Sequence, residues 1–207
     1  MRSNSGHTLN VSYDPAQIIL RRLDNGESAD VALLGAEAID RLVAGGVLAA
    51  ASRRVLARNG IGVGVRAGAP KPDITTLEAF VQALRAADSI AYTSEGASGI
   101  YFAGLIERLG IGETVRAKAR TQPGGLVGEL VLAGQAQIAV QQLPELLALP
   151  GIEVVGPLPD EVQKISTTAA GVFARSQAGA AASDLIAFLA SPAAREVFRA
   201  KGFEPAA

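Results

Sequence analysis

The sequence predicts an α/β fold in which mainly parallel sheets are flanked by helices. Short apolar segments of strand length alternate along the chain with segments of helical periodicity, as in consecutive βα units. Hydrophobic residues make up 49% of the 207 residues and aromatic residues only 4%, so the core consists largely of Ala, Val, Leu and Ile. Such side chains suit helices packed closely on a sheet that is buried on both faces.

Each predicted element has a local signal. Apolar or alternating runs predict strands at residues 9–13, 30–34, 60–65, 89–92, 137–140, 152–155 and 168–173. Helical periodicity predicts helices at residues 18–25, 36–43, 75–84, 100–109, 129–133, 184–189 and 192–199. Glycine alternates in the 60–65 strand, which leaves little bulk on one face and allows close backbone approach or a connection between lobes.

Two helix starts carry capping signals. Thr75 and Glu78 form a capping box, in which the Thr75 hydroxyl accepts an early amide hydrogen bond and Glu78 reaches back. Ser191 and Pro192 suit the N-cap and first positions of the last helix.

Composition excludes several functional classes. The formal net charge is −1 and no Lys/Arg cluster occurs, which argues against nucleic acid as a partner. The chain has no cysteine and one histidine, His7, so thiolate chemistry is excluded and a Ser-His-Asp triad is disfavoured. No metal-ligand cluster, cofactor motif or apolar run of about 20 residues is present. Residues 1–7 are polar and show no apolar core of a signal peptide.

The turn at residues 93–99, Thr-Ser-Glu-Gly-Ala-Ser-Gly, is the sharpest functional signal. It follows a strand and opens a helix, where free N–H groups and the helix dipole favour an anion without a cationic side chain. Thr93, Ser94 and Ser98 add hydroxyl donors, and Gly99 lies at the helix start. The alternative is an ordinary capped loop in which the glycines only ease the turn.

Three further segments offer polar groups near strand ends. The turn Gln122-Pro123-Gly124-Gly125 precedes a helix, and the segment 14–17 is a third helix start with Gln17 as a donor. The pair Gln141-Gln142 follows an apolar strand, where its amides bind a ligand or are simply solvated. Several helix starts after strands are what an open α/β sheet presents to a ligand at its carboxyl edge.

Motifs along nearly the whole chain resemble the molybdate-binding-protein branch of periplasmic solute-binding proteins that serve ABC importers. The motifs, in order, are Ala-Asp-Val-Ala-Leu at 29–33, Ala-Ser-Gly-Ile-Tyr at 97–101, Gly-Gln-Ala-Gln-Ile-Ala-Val at 134–140 and Ser-Pro-Ala-Ala at 191–194. The resemblance implies a type II binding-protein fold with two α/β lobes, a ligand between them, and oxyanions held by hydroxyls and amides. It places lobe 1 at 1–65 and 166–207, and lobe 2 at 66–165.

The resemblance also implies which residues bind the ligand, and the sequence departs from the family pattern in two places. It implies contacts by Ser98, by Gly124 with its neighbour Gly125, and by Ala16 or Gln17. Gln142 falls where the family often has a tyrosine, which favours a ligand other than molybdate or a relaxed site. The family's first strand and helix precede the segment matching residues 9–11, so the first lobe is expected to be N-terminally shortened. A rearranged sheet, strand exchange or a homodimer would compensate.

These observations give one leading hypothesis and two alternatives. The leading one is a non-enzymatic, periplasmic solute-binding protein that binds molybdate-like oxyanions or a small organic acid and docks on an ABC transporter membrane subunit. The second is a cytoplasmic or truncated ligand-binding or regulatory domain of the same fold. The third is an isomerase or lyase acting on an organic acid, with Tyr92, Tyr101 or Glu95 as acid or base.

Overall fold

The predicted α/β class with sheets flanked by helices is confirmed, and each sheet contains at least one antiparallel pair of strands. The computed structural model describes residues 6–14 and 16–206. Residues 1–5 of the polar N-terminal segment, Pro15 of the predicted helix start, and Ala207 lie outside the described residues. The described part of the chain forms two α/β units, one of residues 6–58, 167–198 and 205–206 and one of residues 59–166 and 199–204.

The first unit contains a four-stranded sheet, whose strands are β1 (Val31–Gly35), β2 (Arg54–Asn59), β8 (Ser166–Val172) and β9 (Glu204–Pro205). Their order in the sheet is β1-β8-β2-β9, and β1 runs antiparallel to β8. Its helices are α1 (Ala16–Asp24), α2 (Ala36–Ala44), α8 (Gly179–Leu189) and α9 (Pro192–Ala200). The core under α2 is centred on Ile39 and Leu48, which are fully buried.

The second unit contains a five-stranded sheet, whose strands are β3 (Ile61–Arg66), β4 (Ile90–Thr93), β5 (Ala119–Gln122), β6 (Ile138–Gln142) and β7 (Ile152–Pro157). Their order in the sheet is β5-β4-β6-β3-β7. Its helices are α3 (Leu77–Ala86), α4 (Ala97–Arg108), α5 (Gly112–Arg116), α6 (Gly128–Leu132) and α7 (Leu143–Leu147). Residues 59–65, 166 and 199–204 lie in this unit, although they are predicted to belong to lobe 1.

Strand directions in the second sheet divide it into two parts. β4 pairs in parallel with β5 and β6, whereas β3 runs antiparallel to both β6 and β7. Alternation of strands and helices predicts the layers of a fold but not the direction of each strand. β3 follows β2 after the single residue Gly60, so no crossover helix sets its direction.

The two faces of the second sheet carry side chains of different size. One face packs large residues such as Ile90, Tyr92 and Val140 against the buried Phe80 and Phe102 of α3 and α4. The opposite face presents Ala91 and Ala139 to α6 and α7. Alternate residues of a strand share a face, so the alternation of large and small residues along these strands gives the two faces different side-chain sizes.

The glycines of β3 make the small-residue face still thinner. A Cβ atom on Gly62 would overlap the side chain of Leu143 and the carbonyl of Gly156, and one on Gly64 would lie 3.0 Å from the Leu146 side chain. The close approach predicted for this strand is therefore an approach by α7 and the neighbouring strand. Overpacking of this kind usually costs about 1–3 kcal/mol.

Three local predictions differ from the structure. Residues 9–13 form no strand, and Leu9, Val11 and Tyr13 are 38%, 60% and 86% exposed, because an alternating pattern forms a strand only beside a partner. Strands β2 and β5 are not among the predicted strands. β5 lacks an apolar pattern because it is a mostly polar strand at the edge of its sheet.

The capping box at α3 is also shifted by one residue. Thr76 is the N-cap and accepts a hydrogen bond from the Ala79 amide at 3.1 Å, whereas the Thr75 hydroxyl donates to Asp73 at 2.7 Å. The hydrogen bond to Asp73 engages the Thr75 hydroxyl, so Thr76 caps the helix instead. The capping-box pattern alone does not predict this. Ser191 caps α9 as predicted, accepting from the Ala194 amide at 3.3 Å.

Candidate functional site

The carboxyl ends of three adjacent parallel strands bring two of the predicted loops and one glutamine together. Thr93 ends β4, Gln122 ends β5, and Gln141 lies near the end of β6. Because these strands are parallel and β4 lies between the other two, their ends share one edge of the sheet. We call residues 93–99, residues 122–127 and Gln141 the strand-end cluster.

Backbone hydrogen bonds join the two loops of the strand-end cluster. The Ser94 N–H donates to the Gln122 carbonyl at 2.8 Å, and the Glu95 N–H donates to the Pro123 carbonyl at 3.1 Å. These bonds continue the parallel ladder of β4 and β5 beyond the strands. They also occupy two amides of the turn, so Ser94 has only its exposed hydroxyl left to offer.

The start of α4 supplies the donors of the cluster. Its N-cap is Gly96, which has no side chain with which to cap the helix. The N–H groups of Ala97, Ser98 and Gly99 in the first turn have no acceptor within the helix, and the helix dipole adds positive potential there. Ser98, the second residue of this turn, is buried and only 3% exposed.

Thr93 contributes a buried hydroxyl without a partner. The residue is 3% exposed, and among the described residues its Oγ1 is the only fully buried side-chain nitrogen or oxygen atom that makes no hydrogen bond. It lies under the first turn of α4, since a Cβ atom on Gly96 or Gly99 would contact it. An unsatisfied buried polar group costs about 1–3 kcal/mol, which marks this hydroxyl as a candidate ligand contact.

Gly99 permits the close approach of α4 to β4. A Cβ atom at this position would overlap the Thr93 carbonyl oxygen, which is backbone and cannot rotate away. Packing therefore requires that residue 99 have no side chain, and the ligand contact of the Gly99 amide stays a prediction.

Two glutamine side chains hold the second loop. Gln122 Nε2 donates to the Gly124 carbonyl at 2.8 Å, and Gln141 Nε2 donates to the Gly125 carbonyl at 2.7 Å. Gln141 Oε1 also accepts from the Val127 N–H at 3.0 Å. Gly125 has φ of 83°, a left-handed conformation that favours glycine.

Of the two adjacent glutamines, the structure places Gln141 and not Gln142 within the strand-end cluster. Gln141 is 1% exposed, whereas Gln142 accepts from Asn59 Nδ2 at 2.6 Å and donates to Ser166 Oγ at 3.2 Å. Successive residues of a strand point to opposite faces, so only one can reach the loop. The sequence could have indicated Gln141, because it lies two residues after Ala139 and therefore on the same face of the strand.

Burial acts on a carboxyl group beside the cluster. Burial of Glu145, in the first turn of α7, raises the pKa of its carboxyl group, and hydrogen bonds from the Gln142 amide and the Gln141 side chain partly offset this effect. Glu145 is thus the N3 residue of a short helix whose N-cap is Gln142, and it reaches back as in a capping box.

The other predicted residues are placed as follows. Ala16 and Gln17 begin α1 in the first unit and are exposed, and their ligand contacts stay predictions. Tyr101 donates its hydroxyl to the Val162 carbonyl at 2.9 Å. Tyr92 packs edge-on against Phe102 with ring centroids 5.1 Å apart, and burial raises the pKa of its hydroxyl. Glu95 is the only charged residue of the turn and is exposed.

The described residues contain neither a cluster of metal ligands nor a helix of membrane-spanning length. No group of three or more His, Asp or Glu residues within 6–14 and 16–206 is arranged to hold a metal ion. None of the helices in that part of the chain is long and apolar enough to cross a membrane.

Comparison with known proteins decides the family. The model of the family described as bacterial extracellular solute-binding protein matches residues 1–204. The chain belongs to this family. The predicted resemblance is thus confirmed at the level of family and fold.

One curated relative and two solved structures are informative about this solute-binding protein. An aconitate isomerase of a Pseudomonas species is 42% identical over 193 residues, which are 93% of this chain and 73% of that protein. The periplasmic molybdate-binding protein of Azotobacter vinelandii has a TM-score of 0.75 and 17% identity, over 96% of this chain and 88% of that one. The sulfate-binding protein SubI of Mycobacterium tuberculosis has a TM-score of 0.71 and 20% identity, over 98% and 78% respectively. At such identities the two structures show the two-lobe fold alone.

Proposed function

We propose that this solute-binding protein binds a small organic polycarboxylate, with aconitate as the first candidate, at the strand-end cluster. The observation that carries the proposal is the buried, unpartnered Thr93 hydroxyl beside the uncapped first turn of α4. A carboxylate oxygen placed there accepts hydrogen bonds from the hydroxyl and from first-turn amides, which removes the cost of leaving them unsatisfied.

The choice of ligand class rests on the relative and on the donors. The 42% identical relative is named for a tricarboxylate, whereas the molybdate- and sulfate-binding proteins share only the fold. Hydroxyl and amide donors bind carboxylates and tetrahedral oxyanions alike, so the donors alone support an anion and the relative supports the organic one. Family membership further supports a periplasmic location and docking on an ABC transporter membrane subunit.

Calorimetry with a ligand panel tests the proposal. The panel contains cis-aconitate, trans-aconitate, citrate, molybdate, tungstate and sulfate, each also measured as a shift of the thermal midpoint. We expect micromolar or tighter binding of at least one aconitate isomer, with a higher midpoint on saturation. Binding of molybdate or tungstate without any carboxylate would replace this proposal by the oxyanion alternative.

The same relative favours a second candidate, isomerisation of the bound acid. Aconitate isomers can interconvert when a proton is taken from the methylene carbon and returned to the former vinyl carbon as the double bond shifts, so one carboxylate can suffice. Glu95 is the candidate base, since its backbone is fixed beside the second loop while Tyr101 donates its hydroxyl elsewhere.

Turnover of cis-aconitate, followed by NMR, distinguishes a binding protein from an isomerase. If the chain is an isomerase, Glu95→Gln should lower kcat by about a hundredfold or more with little change in ligand affinity. Glu78→Gln, at an exposed position of α3, is the control for loss of a negative charge. Absence of turnover in the wild-type chain with retained binding would leave the binding function and refute the isomerase.

A further inference from the structure

We infer that Gln141 is a positioning residue that aims an N–H group of the second loop, that of Leu126, at the bound anion. The inference rests on the proposed function and adds to it a donor that the sequence analysis did not assign. Its basis is the pair of hydrogen bonds between the Gln141 side chain and the Gly125 carbonyl and Val127 amide.

Gln141 is itself in no position to bind a ligand. It is 1% exposed, its Oε1 accepts from the Val127 N–H at 3.0 Å, and its Nε2 donates to the Gly125 carbonyl at 2.7 Å. Both hydrogen bonds of this buried amide are therefore made to the backbone of the second loop. The side chain therefore acts on the loop.

The planarity of the peptide bond determines where the N–H group after each held carbonyl points. In a planar trans peptide the C=O group and the following N–H point in opposite directions. Holding the Gly125 carbonyl toward Gln141 therefore turns the Leu126 N–H away from it. Gln122 does the same one residue earlier, because its hold on the Gly124 carbonyl turns the Gly125 N–H away.

The second loop is open at Gly124, the residue before these amides. A Cβ atom on Gly124 would meet nothing within 4 Å, so the backbone there is open. The hydrogen bond from the Glu95 amide to the Pro123 carbonyl keeps the loop beside the start of α4. Amides of both loops can thus donate to one anion.

The test compares two glutamines that make the same kind of tether. Gln141→Met removes both hydrogen bonds to the loop at nearly constant volume. The control is Gln163→Met, since the Gln163 amide likewise accepts from and donates to one backbone residue, Ile61, at 2.9 Å each, outside the strand-end cluster. Ligand affinity is measured by calorimetry, and the Gly125 and Leu126 amide signals by ¹⁵N NMR with and without aconitate.

We expect the Gln141 variant to bind aconitate about tenfold or more weakly and the Leu126 amide signal to lose its ligand-induced shift. The Gln163 variant should lose thermal stability but keep its affinity within about twofold and keep the shift. Hydrogen exchange of the Val127 amide should quicken only in the Gln141 variant. If Gln141→Met does not fold, Gln141→Asn, which is too short to make both bonds, carries the same expectation.

The outcomes separate this inference from the proposed function. Equal affinity of the Gln141 variant and the wild type, or an unchanged Leu126 shift, overturns the inference and leaves the binding function standing. Failure of the wild-type chain to bind either aconitate isomer overturns both.

Discussion

At the scale of single residues, a substitution at Thr93 should weaken ligand binding without lowering the stability of the fold. Its hydroxyl is buried without a partner, so replacing it by an apolar group of the same shape removes an unsatisfied group and should not destabilise the fold. Thr93→Val should therefore keep or raise the thermal midpoint while weakening aconitate binding about tenfold. Calorimetry and thermal unfolding of the same samples check both parts.

The matched control for that substitution is Thr93→Ser. It keeps the hydroxyl and loses a methyl group, so affinity should be retained and stability should fall slightly. A Val variant that binds as tightly as the wild type would show that the hydroxyl contacts no ligand.

The residue scale also marks the limit of prediction from sequence. The turn at 93–99 was identified because hydroxyls, glycines and a helix start coincide in a short segment. Gln141 and Gln142 are chemically identical neighbours, and only the strand's orientation decides that one tethers the loop while the other bonds Asn59 and Ser166. That parity depends on contacts distant in sequence.

At the scale of elements, Glu145 at the start of α7 gives a pH-dependent prediction. Burial raises the pKa of its carboxyl group above the usual value, so the ionised form lowers stability above the raised pKa. This cost disappears as the pH falls below the unfolded value of about 4.3. Glu145→Gln should therefore be more stable than the wild type near neutral pH, with the difference vanishing toward about pH 4.

Thermal unfolding across that pH range is the measurement. Glu113→Gln, at an exposed position of α5, controls for the change in net charge. A Glu145→Gln variant that is less stable at neutral pH would show that the charged cap of α7 outweighs its burial.

Strand directions show what sequence periodicity leaves open among the elements. Most strands and helices were predicted because apolar patterns report which face is buried. The polar edge strand β5 and the antiparallel direction of β3 were not, because pairing partners and connections decide them. Residues 9–13 show the opposite case: they have the alternating pattern of a strand but form none, because the pattern does not supply a pairing partner.

At the scale of the whole molecule, the donor set predicts the response to salt. The net charge is −1, and the donors proposed for the ligand are hydroxyls and amides, so the proposal includes no clustered cations that would attract the ligand. Aconitate affinity should change less than about threefold between about 50 and 300 mM NaCl. Calorimetry at several salt concentrations checks this, and a tenfold loss would indicate a cationic contact outside the strand-end cluster.

The two-lobe class and the family were predictable because motifs spread along nearly the whole chain each constrain a different element. The ligand was not, because hydroxyls and amides do not distinguish one small anion from another. The proposed ligand rests on a relative and on a buried polar atom that the fold leaves unsatisfied.

The tethers of the 122–127 loop have a consequence for its length. Loops at the surface ordinarily tolerate insertions and deletions. Here two successive carbonyls and one amide are matched to Gln122 and Gln141, so one residue more or fewer would bring the wrong peptide group to each side chain. In insertion scanning this loop should behave like part of the core, although its glycines lie open to solvent.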